Sequence, residues 1–213
     1  MRLLLLLALS VFLTACAQSE SEFYYDNHPA TNSMRAWDSH SFPLVIQVPD
    51  ELLPYQISIE RAGRSWNEAL GETVFVFAYN HSPNTQWTDS KKSLFDNYFG
   101  LFMQVDWSFT DIGPSVLAYT GTLAVDGTIQ SADLIFNFDN FHFDDYDKNP
   151  SSTNYVDFES VLVHELGHFL GLSHINMSED SSSVMLPSLR KAESRRGLSQ
   201  GDIVRIRQLY LRL

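Results

Sequence analysis

The chain has 213 residues and a formal net charge of −12, because 26 acidic residues face only 14 basic ones. This length suits one domain of ordinary size with short appendages, and a hydrophobic content of 44% is enough to build a core. The acidic balance argues against a nucleic-acid-binding protein, which needs a basic surface to meet phosphates.

The first 15 residues have the pattern of an export signal. Met1 and Arg2 precede an apolar run over residues 3–13, which is too short to span a membrane and leads to the only cysteine, Cys16. The run ends in Leu-Thr-Ala-Cys, which resembles a bacterial lipobox, so we expect cleavage before Cys16 and its lipidation. An ordinary signal peptide is the alternative. A multiply acylated cysteine would anchor the protein in a membrane, and Ala17 favours the outer membrane of the cell envelope.

Residues 16–35 are polar and lack an apolar period, which predicts a lipidated cysteine followed by a flexible tether. Residues 36–213 then form the folded domain. Alternation and apolar runs predict strands at 42–48, 73–79, 101–107, 115–120 and 132–138. An amphipathic helix is predicted over 57–70, ended by Gly71. This order predicts an α/β fold with a mixed, mostly parallel, five-stranded twisted sheet, a backing helix, a second helix beneath the sheet and a C-terminal helix.

Two later helices carry capping signals. Asp157 or a neighbour can cap the helix that begins near Phe158. Ser199 is the predicted N-cap of the last helix, and Asp202 three residues on makes an acidic form of the capping box. The basic stretch 189–197 between these helices is predicted to be a loop.

Residues 164–174 read H-E-x-x-H-x-x-G-x-x-H in a helical context. His164 and His168 are four residues apart, so both imidazoles leave the helix on one side, one turn apart. Glu165 is displaced around the helix, and Gly171 allows the chain to turn back so that His174 becomes a third ligand. Three histidines leave one position of a tetrahedral zinc open, as catalytic sites do. A core helix with solvated histidines is the alternative.

The chain resembles the metzincin metallopeptidases, and among them the matrixins, which combine this long motif with a methionine turn further on. Met185 lies eleven residues after His174, and Pro187 follows it, as in matrixins. The resemblance implies a zincin fold and a zinc-dependent endopeptidase that binds one catalytic zinc through the three histidines. It also implies that Glu165 is the general base for a zinc-activated water, with Met185 as an apolar floor.

The resemblance also suggests how a protein or peptide substrate binds. The strand at 115–120 would be a sheet edge, which can accept an extended peptide as an added strand; an inner strand is the alternative. Tyr119 in that strand and Pro187 after the methionine turn are the substrate-binding candidates. Two other functions remain open, namely a zinc amidase acting on cell-wall peptides and a non-catalytic, zinc-stabilised lipoprotein binding module.

The resemblance also bears on other metals. Vertebrate matrixins hold a structural zinc through histidines in two strands, and Tyr119 and Ile135 stand at the matching places, so we expect that zinc to be missing. A group of four aspartates near His142 offers oxygen ligands that could bind calcium. A solvated acidic loop is the favoured interpretation of that group. Its members are Asp139, Asp144, Asp145 and Asp147.

Overall fold

The computed structural model describes residues 23–24, 35–79, 98–110, 112–148 and 154–211. The strands are β1 Phe23–Tyr24, β2 Leu44–Gln47, β3 Phe75–Ala78, β4 Phe99–Gln104, β5 Ala118–Val125, β6 Thr128–Asn137, β7 Phe143–Asp144, β8 Val156–Asp157 and β9 Ser188–Leu189. The α-helices are α1 Gln56–Leu70, α2 Phe158–Phe169 and α3 Gln200–Leu211. In this part of the chain, no helix is both long and apolar enough to cross a membrane.

The main sheet has five strands in the order β3-β2-β4-β6-β5. The first four run parallel to their neighbours, and β5 alone is antiparallel, paired with β6. In the described part of the chain β5 therefore forms one edge of the sheet, as predicted for the strand at 115–120. The mixed, mostly parallel sheet with three helices confirms the predicted fold class.

Several strand boundaries differ from the prediction, such as the start of β6 at Thr128 where 132 was expected, and two of the differences have a clear local reason. β4 ends at Gln104, before Trp107, because the Asp106 carboxylate caps a short 3-10 helix by accepting from the Ser108 amide at 3.2 Å. β5 runs on to Val125 because Asp126 and Gly127 both have positive φ, 50° and 82°. Such a turn matches the twist of a tight hairpin, so the pairing with β6 continues to the turn.

Helix α2 is the most buried helix of the domain, with all twelve of its residues buried. The sheet covers one side of it and α1 another, and the core cluster lies between them. The indole nitrogen of Trp66 in α1 donates to the Val163 carbonyl at 2.9 Å, and that of Trp37 donates to the Phe169 carbonyl at 2.7 Å. A helix buried on every side has no solvated face, so its polar side chains need partners inside the protein.

The N-terminal signal and Cys16 lie outside the described residues. Two residues of the predicted tether form β1, which pairs antiparallel with β9 through Phe23 with Leu189 and Tyr24 with Ser188. The sequence pattern had not indicated this pairing, since the tether lacks an alternating apolar period.

The N-terminus of α2 is held by an ion network centred on Arg196. Asp157 is fully buried and caps the helix, accepting from the Ser160 amide at 3.1 Å. Arg196 donates to both carboxylate oxygens of Asp157, from Nε at 2.8 Å and from Nη2 at 2.6 Å. Its Nη2 also reaches Asp145, and its Nη1 reaches Asp147, at 2.8 Å each. The loop after the methionine turn is thereby tied to the start of the helix that carries the motif.

We expect Arg196→Met to lower the free energy of unfolding by about 3–5 kcal/mol, because the Asp157 carboxylate would stay buried without its charged partner. Chemical denaturation monitored by circular dichroism measures this change. Arg61→Met is the matched control: Arg61 also contacts Asp147, but its side chain is 44% exposed, so its loss should cost under about 1 kcal/mol. Equal losses in the two variants would contradict the central role of Arg196.

Candidate metal and catalytic site

The three histidines of the motif converge at one point. The Nε2 atoms of His164 and His168 lie 3.0 Å apart, and His174 Nε2 lies 3.2 Å from the first and 3.1 Å from the second. His164 and His168 are buried, whereas His174 is half-buried. Among the described residues, this triad is the only group of three or more His, Cys, Asp or Glu side chains close enough to share an ion.

The opposite ring nitrogens show which tautomer two of these histidines adopt. His164 Nδ1 lies 2.7 Å from the Val184 carbonyl oxygen, and His168 Nδ1 lies 2.7 Å from the Leu172 carbonyl oxygen. A carbonyl oxygen can only accept, so each Nδ1 carries the hydrogen and each neutral ring presents a lone pair at Nε2. These bonds also hold the rings in orientation, as is usual for histidines that bind metals.

Lone pairs facing each other at 3.0 Å repel unless a cation lies between them. A proton is a poor candidate, because burial lowers the pKa of His164 well below its usual value and the neighbouring His168 and His174 lower it further. Tetrahedral zinc with Zn–N bonds of about 2.0–2.1 Å separates its ligand nitrogens by about 3.3 Å, close to the observed spacing. The donor set therefore fits zinc.

Gly171 makes the turn that brings His174 back toward the helix. Its φ is +96°, a left-handed conformation that favours glycine, and a Cβ there would collide with the Arg35 carbonyl oxygen. Its amide donates to the His168 carbonyl at 2.8 Å, which closes the end of the helix. The predicted role of Gly171 as the exit from the helix is confirmed.

Met185 packs directly beneath the helix. A Cβ on Gly167 would collide with the Met185 sulfur and would lie 3.0 Å from the Trp66 ring. Met185 is fully buried, and its carbonyl accepts from the Ile175 amide at 3.1 Å, one residue after the third histidine. The methionine turn therefore contacts both the motif helix and the returning chain, and Gly167 is the residue that allows the close approach.

Asp202 in α3 supports the methionine turn from below. Its fully buried carboxylate accepts from the Ser183 hydroxyl at 2.6 Å and from the amides of Val184 and Ser199 at 2.9 Å each. The Ser199 contact, with Ser199 Oγ accepting from the Asp202 amide at 3.0 Å, confirms the predicted capping box. The contact with Val184 was not predicted, because nothing in the sequence links α3 to a turn 18 residues earlier.

Glu165 lies between the two helix histidines in sequence and is 1% exposed. Its Oε2 accepts from the hydroxyl of Thr120 in β5 at 2.6 Å. Thr120 was not among the predicted site residues. The only sequence signal for Thr120 is that it is a polar residue in an apolar strand. Its core-facing position becomes clear only once the register of β5 is known.

Comparison with known proteins places the chain in a family. The family model of the matrixins, a family of peptidases, matches residues 83–211, which is more than half of the chain and includes the motif, the methionine turn and all of α3. The chain belongs to the matrixin family.

Individual relatives agree with this assignment over parts of their length. The chain is 30% identical over 154 residues to Metalloendoproteinase 2-MMP of Arabidopsis thaliana, covering 62% of this chain and 40% of that protein. It is 46% identical over 66 residues to Metalloendoproteinase 1 of Glycine max, covering 31% of this chain and 20% of that protein. The chain thus spans well under half the length of these relatives.

Solved structures are also similar to this chain. One of them, High choriolytic enzyme 1, a hatching-enzyme zinc-protease from the medaka fish Oryzias latipes, aligns with 85% of this chain and 96% of its own, at 16% identity and a TM-score of 0.39.

The two substrate-binding candidates, Pro187 and Tyr119, differ in how their side chains are placed. Pro187 is half-buried two residues after Met185. Tyr119 neighbours Thr120, so its side chain lies on the opposite face of β5, packed against a small cluster that contains Phe102 and Ile135. Asn137 N donates to Leu117 O in the same antiparallel ladder, so the alternate residue Tyr119 directs its main-chain groups to Ile135 of β6 and not to the open edge. Tyr119 and Ile135 are also direct partners across β5 and β6, and the absence of a structural zinc stays a prediction.

The acidic group near His142 does not gather into an oxygen cage within the described residues. Asp139 accepts from the Trp107 amide at 3.0 Å, while Asp145 and Asp147 bind Arg196. The described carboxylates therefore give the calcium alternative no support.

We expect Asp202→Asn to weaken metal binding by about 10–100-fold, the usual effect of losing a group that orients a ligand. Asparagine would turn an NH₂ group toward donors that now bond to carboxylate oxygens of Asp202. The hydrogen bond to the Val184 amide would then weaken, and the Val184 carbonyl would hold His164 less firmly. Competition with a fluorescent zinc chelator measures the affinity. Asp180→Asn is the control, because Asp180 also accepts from Ser199 but makes no bond to Val184; an equal effect there would contradict the proposed link.

We expect the metal-free protein to lose stability as the pH falls below about 6.5, the usual pKa of histidine. The unfolded chain then binds a proton at His164, while the folded chain keeps that ring neutral because its pKa is lowered. The free energy of unfolding therefore rises with pH, and His164 contributes up to about 1.4 kcal/mol of this rise per pH unit. Urea unfolding with chelator between pH 7.5 and 5.5 should show a smaller slope in His164→Gln than in the wild type. The exposed His40→Gln is the control, and an unchanged slope in His164→Gln would refute this origin.

Proposed function

We propose that this matrixin is a zinc-dependent endopeptidase that cleaves peptide bonds in proteins. The observation that carries the proposal is the convergence of three imidazole Nε2 atoms within 3.0–3.2 Å of one another, next to the buried carboxylate of Glu165. Membership of the matrixin family and the metalloendoproteinase relatives support the same reaction.

His164, His168 and His174 would hold the zinc. When bound, zinc supplies a Lewis acid that polarises the scissile carbonyl and lowers the pKa of a water. Glu165 accepts the proton of the attacking water and delivers it to the leaving amine, as a general base and then a general acid. Met185 keeps the floor of the site apolar and takes no part in proton transfer.

The substrate is proposed to be an extended protein segment. A sheet edge can accept an extended peptide as an added strand, and β5 is such an edge, with Thr120 on it next to Glu165. Leu186, Pro187 and Ser188 would form one wall of the pocket for the residue after the cleaved bond.

We also propose that the protein is an exported bacterial lipoprotein, anchored through Cys16 in the outer membrane. The support is the sequence of residues 1–17 alone. Metabolic labelling with a palmitate analogue checks the anchor: label should enter the wild type and be lost in Cys16→Ser. Label that persists in the variant would contradict it.

Glu165→Gln should retain bound metal and lose at least about 100-fold in kcat, because the amide of glutamine cannot accept the proton of water. The measurement is cleavage of a casein-type protein by the metal-loaded chain, with and without a chelator. Glu51→Gln, an exposed position in the same domain, should cleave at the wild-type rate.

Chelator-sensitive cleavage that Glu165→Gln loses would support the peptidase. Full turnover by Glu165→Gln would refute the general-base role. A wild type that binds metal and cleaves cell-wall peptides but no protein would favour the amidase, and one that cleaves neither would favour the binding module.

A further inference from the structure

The hydroxyl of Thr120 touches the carboxylate that the proposed reaction uses. We propose that Thr120 is a positioning residue for Glu165, holding its carboxylate in the orientation needed for proton transfer; this inference rests on the proposed function. Thr120 Oγ1 lies 2.6 Å from Glu165 Oε2, and each residue is 1% exposed. The contact joins β5 to α2 across 45 residues of sequence.

The length and chemistry of the contact identify it as a strong hydrogen bond. A hydroxyl that donates to a carboxylate gives O–H···O distances of about 2.5–2.7 Å, shorter than between neutral groups. Thr120 Oγ1 also lies 3.1 Å from the Glu165 carbonyl oxygen. A threonine hydroxyl has one hydrogen, so the shorter contact to the charged group takes most of it.

Thr120 is well placed to fix an orientation, because its own position is tightly determined. It pairs with Leu134 in the middle of the long β5–β6 ladder, on the sheet face that packs against α2. Its branched Cβ restricts rotation about χ1. Glutamate, by contrast, has three rotatable side-chain bonds, and a carboxylate displaced by about 1 Å can lose about 100-fold in rate.

A structural role alone would make a different prediction. Were the hydroxyl present only to satisfy a buried polar group, its removal would lower stability and leave the turnover of the folded protein unchanged. A positioning role predicts a loss in kcat with little change in KM, because the substrate binds as before and only the proton transfer suffers.

The test compares Thr120→Val, which keeps the shape and removes the hydroxyl, with Thr120→Ser, which keeps the hydroxyl. Thr110→Val is the matched control, because the Thr110 hydroxyl is also buried and donates at 2.8 Å, but to the Trp107 carbonyl and outside β5. With the zinc-loaded full chain and a fluorogenic peptide, Thr120→Val should lose about ten- to a hundredfold in kcat. Its KM should stay within about twofold. Thr120→Ser and Thr110→Val should stay near the wild type.

Wild-type kcat in Thr120→Val would overturn the inference. Equal losses in Thr120→Ser and Thr120→Val would also overturn it, since they would trace the effect to packing of the methyl group. Zinc content and melting temperature measured on every variant separate these outcomes from misfolding.

A second readout does not depend on turnover. Crystal structures of zinc-loaded wild type and Thr120→Val should show one Glu165 conformer in the former and a rotated or split carboxylate in the latter. A carboxylate that stays in place in Thr120→Val would overturn the inference. A wild type that cleaves no peptide would count against the proposed function alone, because the crystal structures would still decide whether Thr120 holds Glu165.

Discussion

Three imidazoles are held with their Nε2 atoms facing one another inside the protein, and the rest of the structure serves this arrangement. Left alone, the rings would rotate apart, since facing lone pairs repel and burial opposes protonation of His164. The carbonyls of Val184 and Leu172 prevent rotation of His164 and His168 by accepting from their opposite nitrogens. A cation bound between them would be attracted by lone pairs that otherwise repel one another.

The groups that hold the site come from distant parts of the chain, and their contacts form a connected series. Asp202 in α3 accepts from the Val184 amide, and the Val184 carbonyl accepts from His164. Met185 fills the space that Gly167 leaves open. Because each contact involves buried groups with little freedom, a disturbance in α3 reaches the metal ligands through only two hydrogen bonds.

Most of the fold and the centre of the site could be predicted from the sequence, because their signals are local. The ligand spacing of His164 and His168 follows from one helical turn, and the capping box of α3 spans four residues. The bond from Thr120 to Glu165, the clamp of Arg196 on Asp157 and the support of Val184 by Asp202 were missed. Each joins residues far apart in sequence, so it exists only once the tertiary packing is known. The end of β4 was misplaced because a single capping carboxylate, Asp106, outweighed the apolar run.

The direction of α2 also favours a cation at the three histidines. Its N-terminus carries partial positive charge, and the buried carboxylate of Asp157 caps it there, with Arg196 balancing the remaining negative charge. Its C-terminus carries partial negative charge, and His168 lies in that last turn. A cation bound at the triad therefore meets the favourable end of the same dipole. Reversing the helix would place the cation against the positive end, so the motif, the cap and the arginine network depend on a single orientation of one buried helix.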